Sequence, residues 1–239
     1  MWVNSWLQCA QSLAYPTHCL LCGAPGQPAR DLCPGCDRDL PRLGDLCTTC
    51  ALPLPGATAT RCARCLQAPP PQAAAVAALD YIAPVDWLVT RLKFNRQLSH
   101  GQLLAALLAE RLAATGTGVD MLVPVPLHPR RRRERGFNQA AEIAAGLRRR
   151  LRLPVRPDLA MRRRDTGHQA DLPARERAAN MRGAFRVPAA AAGCRVAIID
   201  DVITTGHTVA ELAGTLVAAG AERVEVWAPA RAPAPRGRQ

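Results

Sequence analysis

Lysine is all but missing from this chain: of its 31 basic residues only Lys93 is not an arginine. Aromatic residues make up 4% of the 239, too few for a surface that grips nucleic acid mainly by stacking bases on rings. No apolar run approaches the ~20 residues that span a bilayer; none is longer than the seven from Leu103 to Ala109. The amino terminus carries Trp2, Trp6, Leu7 and Leu13 without a basic stretch or a continuous apolar centre, so it does not read as a secretory leader. Neither a GxxxxGK phosphate loop nor a GxGxxG dinucleotide fingerprint occurs. The expectation is a cytoplasmic protein without membrane insertion. Its composition, 49% hydrophobic and 21% charged, is too apolar for a disordered chain and too polar for a membrane bundle.

What is present is unevenly placed. The net charge is +12, and Arg130 to Arg164, with 13 basic against 3 acidic residues, supplies +10 of it. One basic zone therefore dominates rather than a uniformly basic surface. Composition breaks at Ala68-Pro-Pro-Pro-Gln-Ala73, which can continue neither a helix nor a central strand and reads as a stiff linker. Residues 1–67 form a cysteine-rich module, 74–228 the main domain, and 229–239 a proline- and arginine-rich tail expected to be disordered.

Along the main domain, strand patterns at Val76–Ile82, Met121–Leu127, Leu153–Asp158, Met161–Arg164, Arg195–Asp201 and Val224–Ala228 alternate with helical periods at Pro84–Phe94, Gly101–Ala114, Asn138–Leu151 and Thr208–Ala219. Thr166–Ala184 is polar and reads as a mobile loop. The alternation predicts an α/β fold with a parallel sheet flanked by helices.

Eight of the ten cysteines fall in four CxxC pairs: Cys19/Cys22, Cys33/Cys36, Cys47/Cys50 and Cys62/Cys65. Each CxxC turn offers two thiolates on one edge, and two turns close a tetrahedral four-sulfur site around a zinc ion. Four pairs make two structural Zn2+ sites, preferably with first and second pairs together and third and fourth together, a crossed arrangement remaining open. All-cysteine sites leave no coordination position for substrate, so their role is structural or lies in partner contacts. His18 beside Cys19 is read as solvated, and Cys9 and Cys194 as ordinary buried cysteines.

The sharpest motif is Val196-Ala-Ile-Ile-Asp200-Asp201-Val-Ile-Thr204-Thr205-Gly206-His207-Thr208. A buried strand carries two adjacent carboxylates to the carboxyl edge of the sheet, where open α/β folds bind ligands. A turn of hydroxyl residues around Gly206 then opens a helix, whose free N–H groups and dipole can cradle a phosphate. Vicinal hydroxyls beside a phosphate, as in a ribose 5-phosphate, would match this pair and loop. The His207 main-chain amide is given a role in that cradle and its imidazole none. In the basic zone, Arg135 and the arginines of Met161-Arg-Arg-Arg164 through Gln169, with Arg175 and Arg177, could grip a pyrophosphate, one loop closing over it.

The acidic pair and loop resemble the phosphoribosyl pyrophosphate (PRPP) motif of type I phosphoribosyltransferases. With the four CxxC pairs, Lys93-Phe94, Arg135-Gly-Phe-Asn-Gln139, Thr166–Gln169, Arg177 and Asn180, the chain from Cys19 to Ala228 resembles the ComF/GntX family. The resemblance implies a double zinc ribbon joined to a phosphoribosyltransferase-like domain, with a role in natural competence or DNA uptake. It implies that Asp200 and Asp201 hold the ribose and act in catalysis, and that Thr204, Thr205, Gly206, His207 and Thr208 hold the 5-phosphate. Arg135 and Arg164 would face the pyrophosphate, with Mg2+ arriving on PRPP. Two functions follow: phosphoribosyl transfer to an acceptor, or a non-catalytic single-stranded DNA-binding module that senses PRPP or nucleotide and works with competence proteins.

Overall fold

Val196 to Ile199, four apolar residues in a row, form an interior strand whose side chains are all withdrawn from solvent, as expected of a parallel sheet covered on both faces. The computed structural model describes residues 17–28, 30–56, 59–116, 118–164, 181–187 and 191–233. Among these the elements run α1 (Pro34–Arg38), α2 (Ala63–Gln67), β1 (Ala74–Asp80), α3 (Val85–Asn95), α4 (Leu98–Thr115), β2 (Met121–Pro124), α5 (Pro129–Arg135), α6 (Gln139–Leu151), β3 (Met161–Arg162), β4 (Phe185–Arg186), β5 (Arg195–Ile199), β6 (Val202–Ile203), α7 (His207–Ala218) and β7 (Arg223–Arg231).

The chain divides into two compact units, 1–41 and 42–239. In the first, Cys33 caps α1 with its Sγ accepting from the Cys36 amide at 3.4 Å. A turn through Cys19–Cys22 is closed by the Cys19 amide on the Ala24 carbonyl at 2.8 Å and the Gly23 amide on the Cys19 carbonyl at 2.9 Å. The second unit holds the other two CxxC pairs and the sheet. There the same turn recurs 28 positions on, with Cys47 donating to Leu52 and Ala51 to Cys47, both at 2.8 Å.

The main sheet has the order β1-β7-β5-β2, with β6 also on β7, and every ladder is parallel. Strand β7 is the hub: β1 runs along one side from Ala74 opposite Glu225, while β5 and then β6 share the other. Helix α4 packs against α6 and α3, and its Leu104, Leu107, Leu108 and Leu112 are buried. At about 25 cal/mol per Å2 of buried apolar surface, each fully buried leucine contributes about 2 kcal/mol. A separate antiparallel pair joins β3 and β4.

Several expectations change. The 161–164 strand is the two-residue β3, and residues 153–158 contribute one bridge, Val155 beside Leu122, because Pro154 and Pro157 interrupt a longer ladder. Strand β2 stops at Pro124 for the same reason, and Pro129–Arg135, expected as a loop, is helical with proline at its first position. Strand β7 runs on through Pro229, Ala230 and Arg231, placed in the tail by composition; the parallel partners β1 and β6 bury all three. Met181 and Ala184, expected in a mobile loop, are buried; residues 165–180, with Thr166–Gln169, Arg175, Arg177 and Asn180, lie outside the described residues. Among the described residues no helix is long and apolar enough to cross a membrane.

Candidate functional site

The parallel ladders bring the carboxyl ends of β5 and β2 to one edge, and Asp200 and Asp201 occupy the gap between β5 and β6. The Asp200 amide still donates to the Trp227 carbonyl at 3.1 Å, so the pair is held by the sheet rather than by a free loop. The Asp201 amide donates to Oδ1 of Asp200 at 2.9 Å. Burial first, and then the Asp201 charge, push the Asp200 carboxyl up to about 8. A carboxyl so placed favours arrival of hydroxyl donors or of a cation.

The chain's single lysine answers that charge. Nζ of Lys93, from the last turn of α3, lies 2.9 Å from Oδ2 of Asp201. Burial alone would lower the Lys93 ammonium, but Asp201 and Asp200 outweigh it and raise its pKa. Lys93 also lines a cavity of about 340 Å3 with Phe94, Arg96, Arg131, Glu134 and Arg135. Four cationic side chains against one carboxylate make this a receptacle for a polyanion.

The Arg135-Gly-Phe-Asn-Gln139 sequence explains how Arg135 is held there. Its Nη1 donates to Oε1 of Gln139 at 2.8 Å, and its guanidinium lies over the Phe94 ring at 5.4 Å. Asn138 caps α6 by accepting from the Ala140 amide at 3.0 Å, while its Nδ2 donates to the Val125 carbonyl at 3.0 Å, fastening the helix start to the end of β2. Burial lowers the Arg135 pKa while the Asp201 charge opposes that shift.

Beyond β6, Gly206 takes φ +83° at the cap of α7, in the left-handed region that favours glycine, and directs the chain into the helix. The Thr205 hydroxyl and His207 Nδ1 share a hydrogen bond at 3.2 Å, so the imidazole, given no part by sequence, braces the turn. Thr204 is exposed and Thr208 partly so. Arg164 is not brought to this site: just beyond β3, which pairs with β4, it donates to the Arg182 carbonyl at 2.8 Å, and it does not line the Lys93–Arg135 cavity.

Sequence reasoning left out Arg96, and also Arg64 and Arg231, which grip the loop from behind. Arg64 Nη1 donates to the Thr205 carbonyl at 3.2 Å. Arg231 donates through Nη1 to the carbonyls of Ile203 and Thr204 and through Nε to that of Cys50. The isolation of Lys93 in composition was a usable signal; nothing local marks Arg64 or Arg231.

The cysteines gather as Cys19, Cys22, Cys33 and Cys36, and as Cys47, Cys50, Cys62 and Cys65, the Sγ atoms of each group lying within 4.8 Å of one another. The Cys22–Cys33 and Cys50–Cys62 sulfurs are 3.7 Å apart, which matches the edge of about 3.8 Å in a tetrahedron with ~2.3 Å Zn–S bonds. Burial works against ionisation of Cys19 and Cys47, but backbone amides from Cys33 and Cys62, among others, prevail and hold both thiols down to about 6. Cys36 is pushed up, chiefly by its hydrogen bond with Cys22, and Cys65 chiefly by burial. Four thiols so crowded ionise together only around a cation, and both groups fit a structural zinc.

A family model described as a double zinc ribbon domain matches residues 10–66. The chain is 38% identical over 221 residues to the DNA utilization protein YhgH of Salmonella typhi, covering 90% of this chain and 97% of that protein. To the protein of the same name from Escherichia coli K12 it is 38% identical over 223 residues, with the same coverage. Competence protein F of Haemophilus influenzae is 34% identical over 209 residues, covering 84% of this chain and 90% of that one. Among solved structures, a glutamine PRPP amidotransferase from B. subtilis complexed with ADP and GMP aligns at 22% identity and TM-score 0.37, covering 53% of this chain and 25% of that one. A purine phosphoribosyltransferase from Pyrococcus horikoshii aligns at 17% identity and TM-score 0.32, covering 59% and 70%.

Proposed function

The chain belongs to the ComF/GntX family of competence and DNA-utilization proteins, and from that premise we propose that it binds PRPP and transfers, or senses, its phosphoribosyl group in the use of DNA. The observation that carries this reading is the convergence, at one sheet edge, of the Asp200–Asp201 pair, the polycationic cavity of Lys93 and Arg135, and the loop that opens α7. The carboxylates accept the ribose hydroxyls, and Thr204 to Thr208 with the α7 amides take the 5-phosphate. Lys93, Arg96, Arg131 and Arg135 receive the pyrophosphate. Mg2+, carried in on that pyrophosphate, would spread its negative charge, and the Asp200–Asp201 pair provides oxygen donors suited to such a cation.

In transfer, the bond between C1 and the pyrophosphate oxygen breaks and pyrophosphate leaves with the electron pair, while the acceptor's lone pair forms the new bond to C1 and the acceptor loses a proton. The acidic pair stabilises the cationic sugar that develops between. Arg135 and its neighbours stabilise the departing pyrophosphate.

Calorimetric titration of Mg-PRPP tests the reading. Wild type binds, and an Asp200→Asn, Asp201→Asn double variant binds about 100-fold more weakly or not at all. Because Asp200 is held up to about 8, ligand hydroxyls that favour its ionised form release a proton at neutral pH, seen as a binding heat that changes with the buffer's own ionisation enthalpy. No binding by zinc-loaded wild type would rule out the PRPP reading.

A second reading has its own observation. Arg130, Arg132 and Arg133 on α5 and Arg148, Arg149 and Arg150 at the end of α6 are exposed, which suits the backbone of single-stranded DNA. Such contacts weaken steeply with salt; affinity unchanged between 50 and 200 mM salt removes this reading.

A further inference from the structure

Arg231 is a cation in an unusual place. The residue is 2% exposed, and among the described residues its hydrogen-bond partners are main-chain carbonyls: Cys50 at 3.1 Å from Nε, with Ile203, Thr204 and Ala232 around Nη1. A buried guanidinium satisfied by carbonyl dipoles alone still lacks a counter-charge. The second cysteine group can supply one: four thiolates around one divalent cation would carry a net charge of minus two. Cys50, whose carbonyl Arg231 holds, is one of those ligands, and Arg64 lies between two others, Cys62 and Cys65.

The space behind the loop shows why these arginines matter. A cavity of about 270 Å3 is lined by Cys50, Arg64 and Cys65 together with Ile203, Thr205, Gly206 and His207. Arg64 lines that cavity, and Arg231 joins the Cys50 carbonyl to the carbonyls of Ile203 and Thr204. Together they fix the carbonyls of Ile203, Thr204 and Thr205, and so the peptide planes that carry the N–H groups of Thr204, Thr205 and Gly206.

We infer that Arg231 and Arg64 are positioning residues that fasten the α7 phosphate loop to the second cysteine group, so that metal in that group sets the loop's affinity for a phosphate ester. Filling the group supplies the negative charge that holds Arg231 in place and fixes the Cys50 carbonyl. Emptying it releases the turns that present the Cys50 carbonyl and carry Arg64, and with them the loop. The inference rests on the reading of the loop as a 5-phosphate site, and its test separates the two.

Full-length, zinc-loaded protein is compared with Arg64→Ala, Arg231→Lys and Arg231→Gln, and with Cys62→Ser, which empties the second group. Ribose 5-phosphate and inorganic pyrophosphate are titrated separately, and amide hydrogen exchange is followed over residues 202–208. Ribose 5-phosphate binding weakens about 5-fold or more in Arg64→Ala and Arg231→Gln, a usual size for coupling between two sites, while pyrophosphate, held at the Lys93–Arg135 cavity, changes less than 2-fold. Arg231→Lys keeps the charge but not the fork, and weakens binding less than Arg231→Gln does. Exchange at 203–206 quickens in the arginine variants and in Cys62→Ser. Parallel weakening of both ligands means general destabilisation and overturns the inference, as does unchanged exchange. Arg64 is exposed, so its variant keeps the test alive if the Arg231 variants do not fold. If wild type binds neither ligand the PRPP reading fails, and the exchange data alone decide whether the metal positions the loop.

Discussion

The two cysteine groups are near-copies in sequence and local geometry, yet they occupy different kinds of place. In the first, Cys19 is buried, Cys22 exposed, and Cys33 and Cys36 partly covered; in the second all four are buried. The first belongs to the 1–41 unit, whereas the second is built into the unit that carries the sheet. There the Thr48 carbonyl accepts from Ala75 of β1, the Thr49 carbonyl from the Gln72 side chain, and the Cys50 carbonyl from Arg231 of β7. Even the shared turn differs: Gly23 takes φ +77° without cost, while Ala51, fully buried, accepts φ +55°. The second copy tolerates backbone strain to place a methyl group in the core. The same ligand spacing thus serves one group as a self-contained knuckle and the other as part of the domain's foundation.

The largest effect should come from emptying the groups one at a time. Cys62→Ser with Cys65→Ser lowers the calorimetric unfolding temperature of the sheet-bearing unit by more than about 10 °C, since structural zinc contributes folding energy directly. Cys33→Ser with Cys36→Ser leaves that transition within about 2 °C while losing the same amount of metal. Equal shifts would erase the distinction between the two places.

Next in size is Lys93→Met, which acts on the larger unit without touching a cysteine. It leaves Asp201, 4% exposed, without its cation and costs about 2 kcal/mol, or about 5 °C. Denaturant unfolding reads it, and a Lys93→Met, Asp201→Asn double variant should recover most of the loss. No recovery would mean that the ion pair is not the source.

A smaller effect concerns pH. Asp200 has a folded-state value of about 8, above its ordinary 3.8, so the protonated form is favoured by folding. That contribution is complete below about pH 4, declines as pH rises towards 8 and is flat beyond. Relative to wild type, Asp200→Asn therefore gains about 3 °C between pH 5 and pH 6, while losing PRPP binding. A gain constant across that range would argue against a proton held on Asp200.

The smallest lies in the first unit. Arg30 pairs with Asp37 at 2.9 Å beside the first cysteine group, and Arg30→Ala should cost at most about 1 kcal/mol. The unfolding of 42–239 should not move. A shift there would show that the two groups are energetically linked after all.

Much of the site was legible because it is local. The apolar run Val196–Ile199, the adjacent acids and the Thr-Thr-Gly turn lie within thirteen positions, so one strand, one turn and one helix start place them together. Arg135 and Gln139 were likewise four apart and meet across the start of α6. Arg164 misled because a run of arginines carries no indication of direction, and just beyond β3 it meets the Arg182 carbonyl instead. The tail misled because Pro and Ala at 229–230 resemble a disordered end, although parallel neighbours on both sides can bury them.

By itself, then, the sequence determined the two four-sulfur sets, the strand–acid–loop–helix series and the alternation that makes a parallel sheet, since spacing along the chain governs which groups a knuckle, strand or turn presents. The tertiary structure alone decided that Lys93 would meet Asp201, more than a hundred positions away, that Arg231 would join Cys50 to the phosphate loop, and that only one of two matching cysteine groups would enter the core. Those pairings depend on how β1, β5, β6 and β7 stack in register. That stacking follows from burying both faces of the sheet, a property no short stretch of residues carries.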